Sequence, residues 1–567
     1  MTIDETLPAT ADRAASPWWK DAVVYQVYPR SFLDSNGDGI GDLNGITAKL
    51  DYLQTLGIDV VWLSPHFDSP NADNGYDIRD YRAVMAELGT MADFDRMLAG
   101  MTERGIRLVI DLVVNHTSDE HRWFVESRRD RDNPYRDFYI WRDGHDGGPP
   151  NNYSSFFSGS AWEHDDATDQ YYLHYFAAKQ PDLNWENPTV RDEVVDLMRF
   201  WLDKGVAGFR MDVIPFISKP DGLPDLTADE LAHPEVVYAN GPRLHEYLQD
   251  LNRRVLAPYQ AMSVGEAFGV GLDQAALFTD ARRGELSMIF HFDIVRMDRD
   301  GWRQTGWTLP QLKALHTMID GVAGEHGWTT SFLGNHDNPR TVSHFGDDSP
   351  AWRELSAKAL ATMLLTQRAT PFVYQGDELG MTNYPFERIE QFEDVEIRGQ
   401  WRTLVQTGDV PADEFLEHVR RTSRDNARTP MQWTADAQGG FTTGTPWLAV
   451  NPNHVEINAA AQVADPDSVY HHHRRLIALR REVPALVHGA FLDVDPEHPT
   501  VFAYTRTLGE DRWLVLVHVG HDVLDYRLPA GLTIVSTALD NGAGPTAAAG
   551  AQQVHLAPWQ ATVYRVE

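Results

Sequence analysis

The sequence predicts an α/β protein built on a (β/α)8 TIM barrel. Eight short apolar runs of buried-strand character alternate with amphipathic stretches, the pattern of parallel strands joined by helices. One long polar and aromatic segment interrupts the alternation after the third run, and from about residue 490 the chain turns to antiparallel strand patterns.

"VVYQVYP" (23–29) is the first strand. In "DLNGITAKLDYLQTLG" (42–57), Leu43, Ile46, Leu50, Leu53 and Leu56 recur at helical spacing. "IDVVWLSP" (58–65), a helix around 90–104 and "IRLVIDLVVNH" (106–116) follow. A helix in 189–204 leads to "VAGFRMDVI" (206–214), and one in 242–256 to "AMSVGEAF" (261–268). "LSMIFHFD" (286–293), "TSFLGNHD" (330–337) and, after a helical pattern in 352–367, "PFVYQGDE" (371–378) complete eight strands, the number that closes a barrel. Residues 17–115 and 186–489 are assigned to the barrel, 116–185 to a small inserted domain, and 1–16 to a lead-in. "TVFAYTR", "RWLVLVHV", "LDYRLP" and "ATVYRV" make 490–567 a C-terminal antiparallel β-sandwich, with "LGED" (508–511) as a turn.

Composition narrows the function. Lys and Arg number 49 against 83 Asp and Glu, a net charge of −34. Such a surface repels nucleic acid and anionic membranes and accepts a neutral substrate. The absence of cysteine excludes disulfides, thiolate metal sites and a cysteine nucleophile. No apolar run is long enough to span a bilayer, and the start lacks a secretory pattern. The expectation is a cytoplasmic monomer.

Catalytic groups of such barrels lie at the C-terminal ends of the strands. There stand Asp73 and Tyr76, then Asp111, Asn115 and His116, Arg210 and Asp212, Glu266, and His336 with Asp337. A single acidic residue at a strand end is commonly a helix cap; three carboxylates and two histidines on one rim point to chemistry. Breaking an acetal requires an acid on the leaving oxygen and a carboxylate against the oxocarbenium ion. Asp212 suits the nucleophile, with Arg210 two residues before it on the same side of the strand. Glu266 suits the acid, and His116 and His336 suit donors to sugar hydroxyls. His471–His473 lie on an ordinary amphipathic helix and are expected to pack or be solvated.

"DLVVNH" (111–116), "GFRMDV" (208–213), "GE" (265–266) and "NHDNPR" (335–340) resemble, in order and spacing, the four signatures of the α-amylase superfamily, glycoside hydrolase family 13. "QPDLNWENP" (180–188) is similar to a further signature of its oligo-1,6-glucosidase branch. The resemblance implies a retaining double displacement, with Asp212 as nucleophile, Glu266 as acid/base and Asp337 gripping the distorted ring. Residues 335–386, 392–401 and 422–433 resemble the sucrose isomerases, which make isomaltulose or trehalulose. That resemblance implies an aromatic clamp of Phe268 and Phe292, a product-determining loop with Arg296 and Arg299 in "RMDRD", Phe176 and Gln180 near the glucosyl ring, and Glu396 and Arg424 near the acceptor. Met297 replaces the usual leucine of that loop. Val213, where isomerases usually carry threonine, resembles α-1,6-glucosidases instead, so hydrolysis of α-1,6 or isomaltulose-type bonds is the alternative. A third reading, a non-catalytic barrel partner of a transporter, would lack the carboxylates and carry a membrane helix.

"DSNGDGIGD" (34–42) has the oxygen spacing of a hard-cation loop. It is not an EF-hand, since position twelve is Gly45 rather than a bidentate Glu. Its carboxylates would repel a phosphate. The family resemblance implies a structural Ca²⁺ or Mg²⁺ held by Asp34, Asn36, Asp38, the Ile40 carbonyl and Asp42.

Overall fold

In the computed structural model, which describes residues 16–567, the eight expected strands form one parallel sheet. They are Val24–Val27, Val60–Leu63, Arg107–Leu112, Gly208–Met211, Met262–Glu266, Met288–Phe290, Thr330–Ser331 and Thr370–Tyr374. Each pairs with its sequence neighbour from the first to the sixth, the first pairs with the eighth, and the eighth with the seventh. The sixth and seventh meet through the Thr330 hydroxyl, which donates to the Ile289 carbonyl at 2.9 Å, closing the ring. Nearly all of the lead-in expected over 1–16 lies outside the described residues.

Alternation along the strands sorts the side chains. Val61, Leu63, Leu108, Ile110, Phe209 and Met211 face outward to the helices. Val24, Val60, Trp62, Val109, Met262, Val264, Met288, Phe290 and Phe372 fill the barrel. The inward positions nearest the C-terminal rim turn polar: Gln26, Asp111 and Arg210 are buried there. The sequence places a dry floor beneath a charged top.

Several elements differ from expectation. The helix expected over 42–57 is two helices, Leu43–Ala48 and Leu50–Leu56, because Lys49 donates to the Ile46 carbonyl three residues back and tightens the turn. The helix of 242–256 is α-helical only over Leu244–Leu251 and continues as a π turn, Asn252–Leu256. The seventh strand is two residues long, leaving Asn335–Asp337 as irregular chain over the mouth.

The segment 116–185 carries a helix, Arg122–Ser127, and a three-stranded sheet of Trp141–Arg142, Gln170–Leu173 and Trp162–Asp165. Its apolar side shares a cluster with Val213, Phe216, Leu223 and Tyr238, so the loop leaving the fourth strand packs onto it. After the eighth strand an unanticipated excursion, with helices Val395–Gln400 and Ala412–Thr422, builds a cluster around Phe386, Phe392 and Phe415. At the C-terminus five antiparallel strands pair in one sheet and Leu524–Arg527 with Gln553–Leu556 in a second. "LGED" is the expected hairpin: Leu508 pairs with Asp511 across Gly509, whose φ of 60° suits glycine.

Two buried arginines stand where the C-terminal sheet meets the barrel, Arg506 on the sheet and Arg480 on helix Val469–Glu482. Arg506 donates to the carbonyls of Thr366, Leu486, Val487 and Gly489, and Arg480 to those of Leu365, Gln367, Ala369 and Leu486. They satisfy carbonyls left over where helix Arg353–Leu365 ends. Arg506→Met is expected to cost about 3 kcal/mol, because buried acceptors lose a charged donor. Thermal scanning should show a clear fall in the melting midpoint, while the turnover of folded protein at 25 °C is unchanged.

Candidate active site

A cleft of about 320 Å³ opens at the C-terminal mouth of the barrel, large enough for a disaccharide-sized ligand. At its base one guanidinium organises three carboxylates. Arg210, 1% exposed, donates through one terminal nitrogen to Asp111 at 2.8 Å and Asp212 at 2.6 Å, and its other terminal nitrogen forms an ion pair with Glu266 at 2.7 Å. Asp111 and Arg210 are register partners on the third and fourth strands, so parallel pairing itself builds this contact. Trp62 Nε1 donates to the other Asp111 oxygen at 3.0 Å, and the Val213 amide to Glu266 at 3.0 Å.

One cation among three buried carboxylates leaves an excess of negative charge. Burial, with repulsion from Glu266 and Asp111, pushes the Asp212 carboxyl up against the pull of Arg210. Burial likewise pushes Asp111 up to about 6. Both shifts arise where a single guanidinium is shared among three carboxyl groups. Retaining pairs sit close together, about 5–5.5 Å apart. Asp212 and Glu266, each on a terminal nitrogen of the same guanidinium, are a close pair.

The facing wall is the electrostatic opposite. Asp337 accepts from Arg428 at 2.6 Å and lies 3.4 Å from Arg424 and 3.1 Å from His336. Burial works against its ionisation, but His336, Arg428 and Arg424 overcome it and hold the carboxyl well below its usual range. Gln26 Nε2 donates to His336 Nδ1 at 2.8 Å, which leaves the proton on Nε2, facing Asp337 and the Tyr76 hydroxyl at 2.5 Å. Tyr76 also stacks on that ring at 5.5 Å. Gln180 donates to Asp73 at 3.1 Å. Burial raises Asp73 to about 6 and lowers His116 to about 4, so the histidine is neutral.

An aromatic wall completes the cleft. Phe268 and Phe292 lie 5.2 Å apart between ring centres, and the Arg296 guanidinium covers both, at 4.6 and 5.4 Å. Arg299 donates to the Thr422 carbonyl at 2.9 Å, and Arg424 grips Asp394 with two nitrogens, at 2.5 and 3.1 Å.

The expected site residues thus come together. Asp73, Tyr76, His116, Phe176, Asp212, Glu266, Phe268, Phe292, Arg296, Arg299, Asp337, Glu396 and Arg424 line the cleft. Arg210, Gln180 and His336 stand directly behind, bonded to residues that do. Asp111 stands at the rim where the sequence placed it, while Phe156, Phe157, Trp302, Asp394 and Arg428 were missing from the expected set. Arg428 had a signal, standing four residues after Arg424 and so on the same helical face. The doublet Phe156–Phe157 stood out in a polar loop. Asp394 had none.

No residue of loop 34–42 lines the cleft, and the loop is clamped by 441–447. Asp34 N donates to the Phe441 carbonyl at 3.0 Å, and Trp447 N to that of Gly39 at 3.0 Å. The Asp34, Asn36 and Asp38 oxygens each accept the amide two residues on, at 2.9 Å, while Asp42 caps the following helix. Burial opposes ionisation of Asp34, but donors from Thr442, Gly39, Gly37 and Asn36 hold its carboxyl below the ordinary value. Among the described residues no three His, Cys, Asp or Glu side chains gather at metal-holding spacing. His472 and His473 are packed, as expected.

Residues 26–489 match the catalytic domain of α-amylase. The chain belongs to the α-amylase family. Among relatives in that family, an oligo-1,6-glucosidase of Parageobacillus thermoglucosidasius is 50% identical over 557 residues, covering 97% of this chain and 99% of that one. Two solved structures are equally similar along their length. Isomaltulose synthase from Erwinia rhapontici NX5 is 55% identical, with a TM-score of 0.97 over 98% of this chain and 100% of its own. The trehalulose synthase MutB of Pseudomonas mesoacidophila MX-45 is 55% identical, with a TM-score of 0.96 over 98% and 100%. The protein is accordingly an α-glucoside-acting enzyme of glycoside hydrolase family 13. No helix among the described residues is long and apolar enough to cross a membrane.

The raised carboxyls set an expectation for pH. Asp73 and Asp111, with values near 6, gain protons as pH falls through 6. A hydroxyl-accepting carboxylate is lost at Asp73 and a partner of Arg210 at Asp111. A folded-state value above the unfolded one means that these groups favour the fold as they protonate, so they do not drive unfolding between pH 6 and 4. kcat/KM should therefore fall below pH 6, with a limiting slope of about a hundredfold per pH unit for two required carboxylates, while circular dichroism is unchanged. A profile flat to pH 4.5 would contradict the assignment.

Proposed function

We propose that the protein is a sucrose isomerase. Asp212 attacks the anomeric carbon of the glucosyl unit while Glu266 gives a proton to the departing fructose, forming a covalent glucosyl ester. Glu266 then takes a proton from a different hydroxyl of the same fructose, which attacks the ester and releases isomaltulose or trehalulose. Asp337, held ionised by two arginines, grips the ring while positive charge develops. The observation that carries this reading is the pair Phe268–Phe292 under the Arg296 guanidinium. Fructose wins over water only if it is held longer than the ester lives, and this pair forms a wall able to close over it. The likeness to two sucrose-isomerising enzymes along the whole chain adds support, and an Erwinia variant has been crystallised with its natural substrate sucrose.

A second reading, an α-1,6-glucosidase, is favoured by Val213. It lines the cleft beside the acid, and relatives covering almost the whole chain bear that name. Incubation with sucrose and, separately, with isomaltose, followed by chromatography, separates the two. Isomerised disaccharide from sucrose is the expected result; cleavage of isomaltose with sucrose untouched overturns it. Phe268→Ala or Phe292→Ala should raise released hexoses relative to isomer by about tenfold, the equivalent of one aromatic contact of about 1.4 kcal/mol.

We also propose that loop 34–42 holds a structural Ca²⁺ or Mg²⁺. The donors, from Asp34, Asn36, Asp38, the Ile40 carbonyl and Asp42, are all oxygens, as a hard cation prefers, and no Lys or Arg among the described residues pairs with the three carboxylates. Such an ion would brace the first strand-to-helix loop and take no part in the chemistry. Chelation should lower the melting midpoint by several degrees, restored by added Ca²⁺ or Mg²⁺, while the initial rate at 25 °C changes by less than about twofold. Identical melts with and without chelator would dismiss the ion.

A further inference from the structure

Behind the glucosyl wall of the cleft lies a buried ammonium. Lys219 Nζ donates to Asp182 Oδ2 at 2.6 Å, Asn115 Oδ1 at 2.8 Å and the Phe216 carbonyl at 2.7 Å, which uses all three of its protons. Its side chain is 9% exposed and that of Asp182 0%, and the Tyr175 ring lies 4.1 Å away. Three segments meet here: the end of the third strand, the end of the inserted segment, and the turn leaving the fourth strand.

An ammonium only donates, so it faces the carbonyl oxygen of the Asn115 amide. The NH₂ end then points the other way, 3.3 Å from Asp182 Oδ1 and 3.1 Å from His116 Nδ1. An NH₂ group donates, so His116 Nδ1 must accept. The proton of the neutral imidazole is therefore on Nε2, which lies 3.1 Å from the Tyr76 carbonyl at the cleft wall. The polar groups facing His116 are Asn115, Tyr76 and Gln180, with Asp182 and Lys219 behind them and Asp73 beyond Gln180.

We propose that Lys219 is a positioning residue of the glucosyl pocket: by orienting the Asn115 amide it fixes His116 as the Nε2–H tautomer, whose proton meets the Tyr76 carbonyl and holds the ring in place at the cleft wall. The proposal rests on the reading of this cleft as a glucoside site, but not on whether sucrose is isomerised or hydrolysed. A purely structural ion pair between Lys219 and Asp182 would leave the imidazole indifferent to the amide.

The test uses the full chain labelled with ¹⁵N-histidine, with the His116 resonances identified by their loss in His116→Gln. The expected spectrum has Nε2 protonated and Nδ1 bare in the wild type and in Lys219→Arg. Asn115→Asp keeps the ion pair but cannot donate to the ring, so Nδ1 should become protonated. In the same variant the inhibition constant of D-glucose should rise about tenfold, as for one lost hydrogen bond, with kcat changing less. Lys219→Met, where it folds, should show both tautomers. A wild-type His116 protonated at Nδ1, or an Asn115→Asp protein with unchanged ring and glucose affinity, overturns the proposal. Failure to isomerise sucrose with the expected ring states leaves it standing and overturns only the sucrose reading.

Discussion

Everything at the mouth of the barrel is arranged around one buried guanidinium. Arg210 contacts Asp111, Asp212 and Glu266, carried by three neighbouring parallel strands or their ends. Without that cation, three carboxyl groups in a dry site would repel each other and take up protons. With it, one of the three negative charges is balanced and two remain, so burial and the residual charge draw the Asp111 and Asp212 carboxyls toward protonation. Arginine suits the task better than lysine, since its planar fork reaches separate partners at once and stays charged when buried. The cost of the arrangement is met by the apolar layers beneath, where Val24, Val60, Val264 and Phe372 fix the strands that hold it.

The same logic, inverted, shapes the opposite wall. There two arginines face Asp337, so the carboxylate is stabilised as an anion where the Arg210 cluster favours a proton. In a protein of net charge −34, buried Arg210 on one wall and Arg428 on the other let the functional carboxylates differ from one another. On our proposal, this asymmetry divides the labour between proton transfer on one side and charge stabilisation on the other.

Much of this was legible in the sequence, for identifiable reasons. Strand ends are marked by the switch from apolar runs to Asp, Glu, His and Arg, so Asp212, Glu266 and His336 could be placed on one rim from pattern alone. Lone positions in irregular chain were not legible. Asp394 reaches the site from an excursion after the eighth strand, and no periodicity foretells where such a segment folds back. Lys219 lies just after a strand whose motif is informative, yet its partners Asn115 and Asp182 are 104 and 37 residues away. The break at Lys49 and the π turn at Asn252–Leu256 escaped for a simpler reason: both leave the apolar spacing nearly unchanged.

Val213 shows why full-length likeness to two kinds of enzyme does not by itself decide the reaction. Its φ of 32° lies in the left-handed region, uncommon for a β-branched residue. That conformation accompanies a hydrogen bond from its amide to Glu266, and a backbone bond is indifferent to the side chain. A valine or a threonine here can leave the acid anchored alike, while the side chain alone changes what the cleft presents to a ligand. The half of the site that would hold a glucosyl unit, around Arg210 and Asp337, and the half that would hold its acceptor, around Phe268, Phe292 and Arg296, are lined by different side chains. On our proposal, the choice between water and a retained sugar falls to the second half, where Phe268, Phe292 and Arg296 line the cleft.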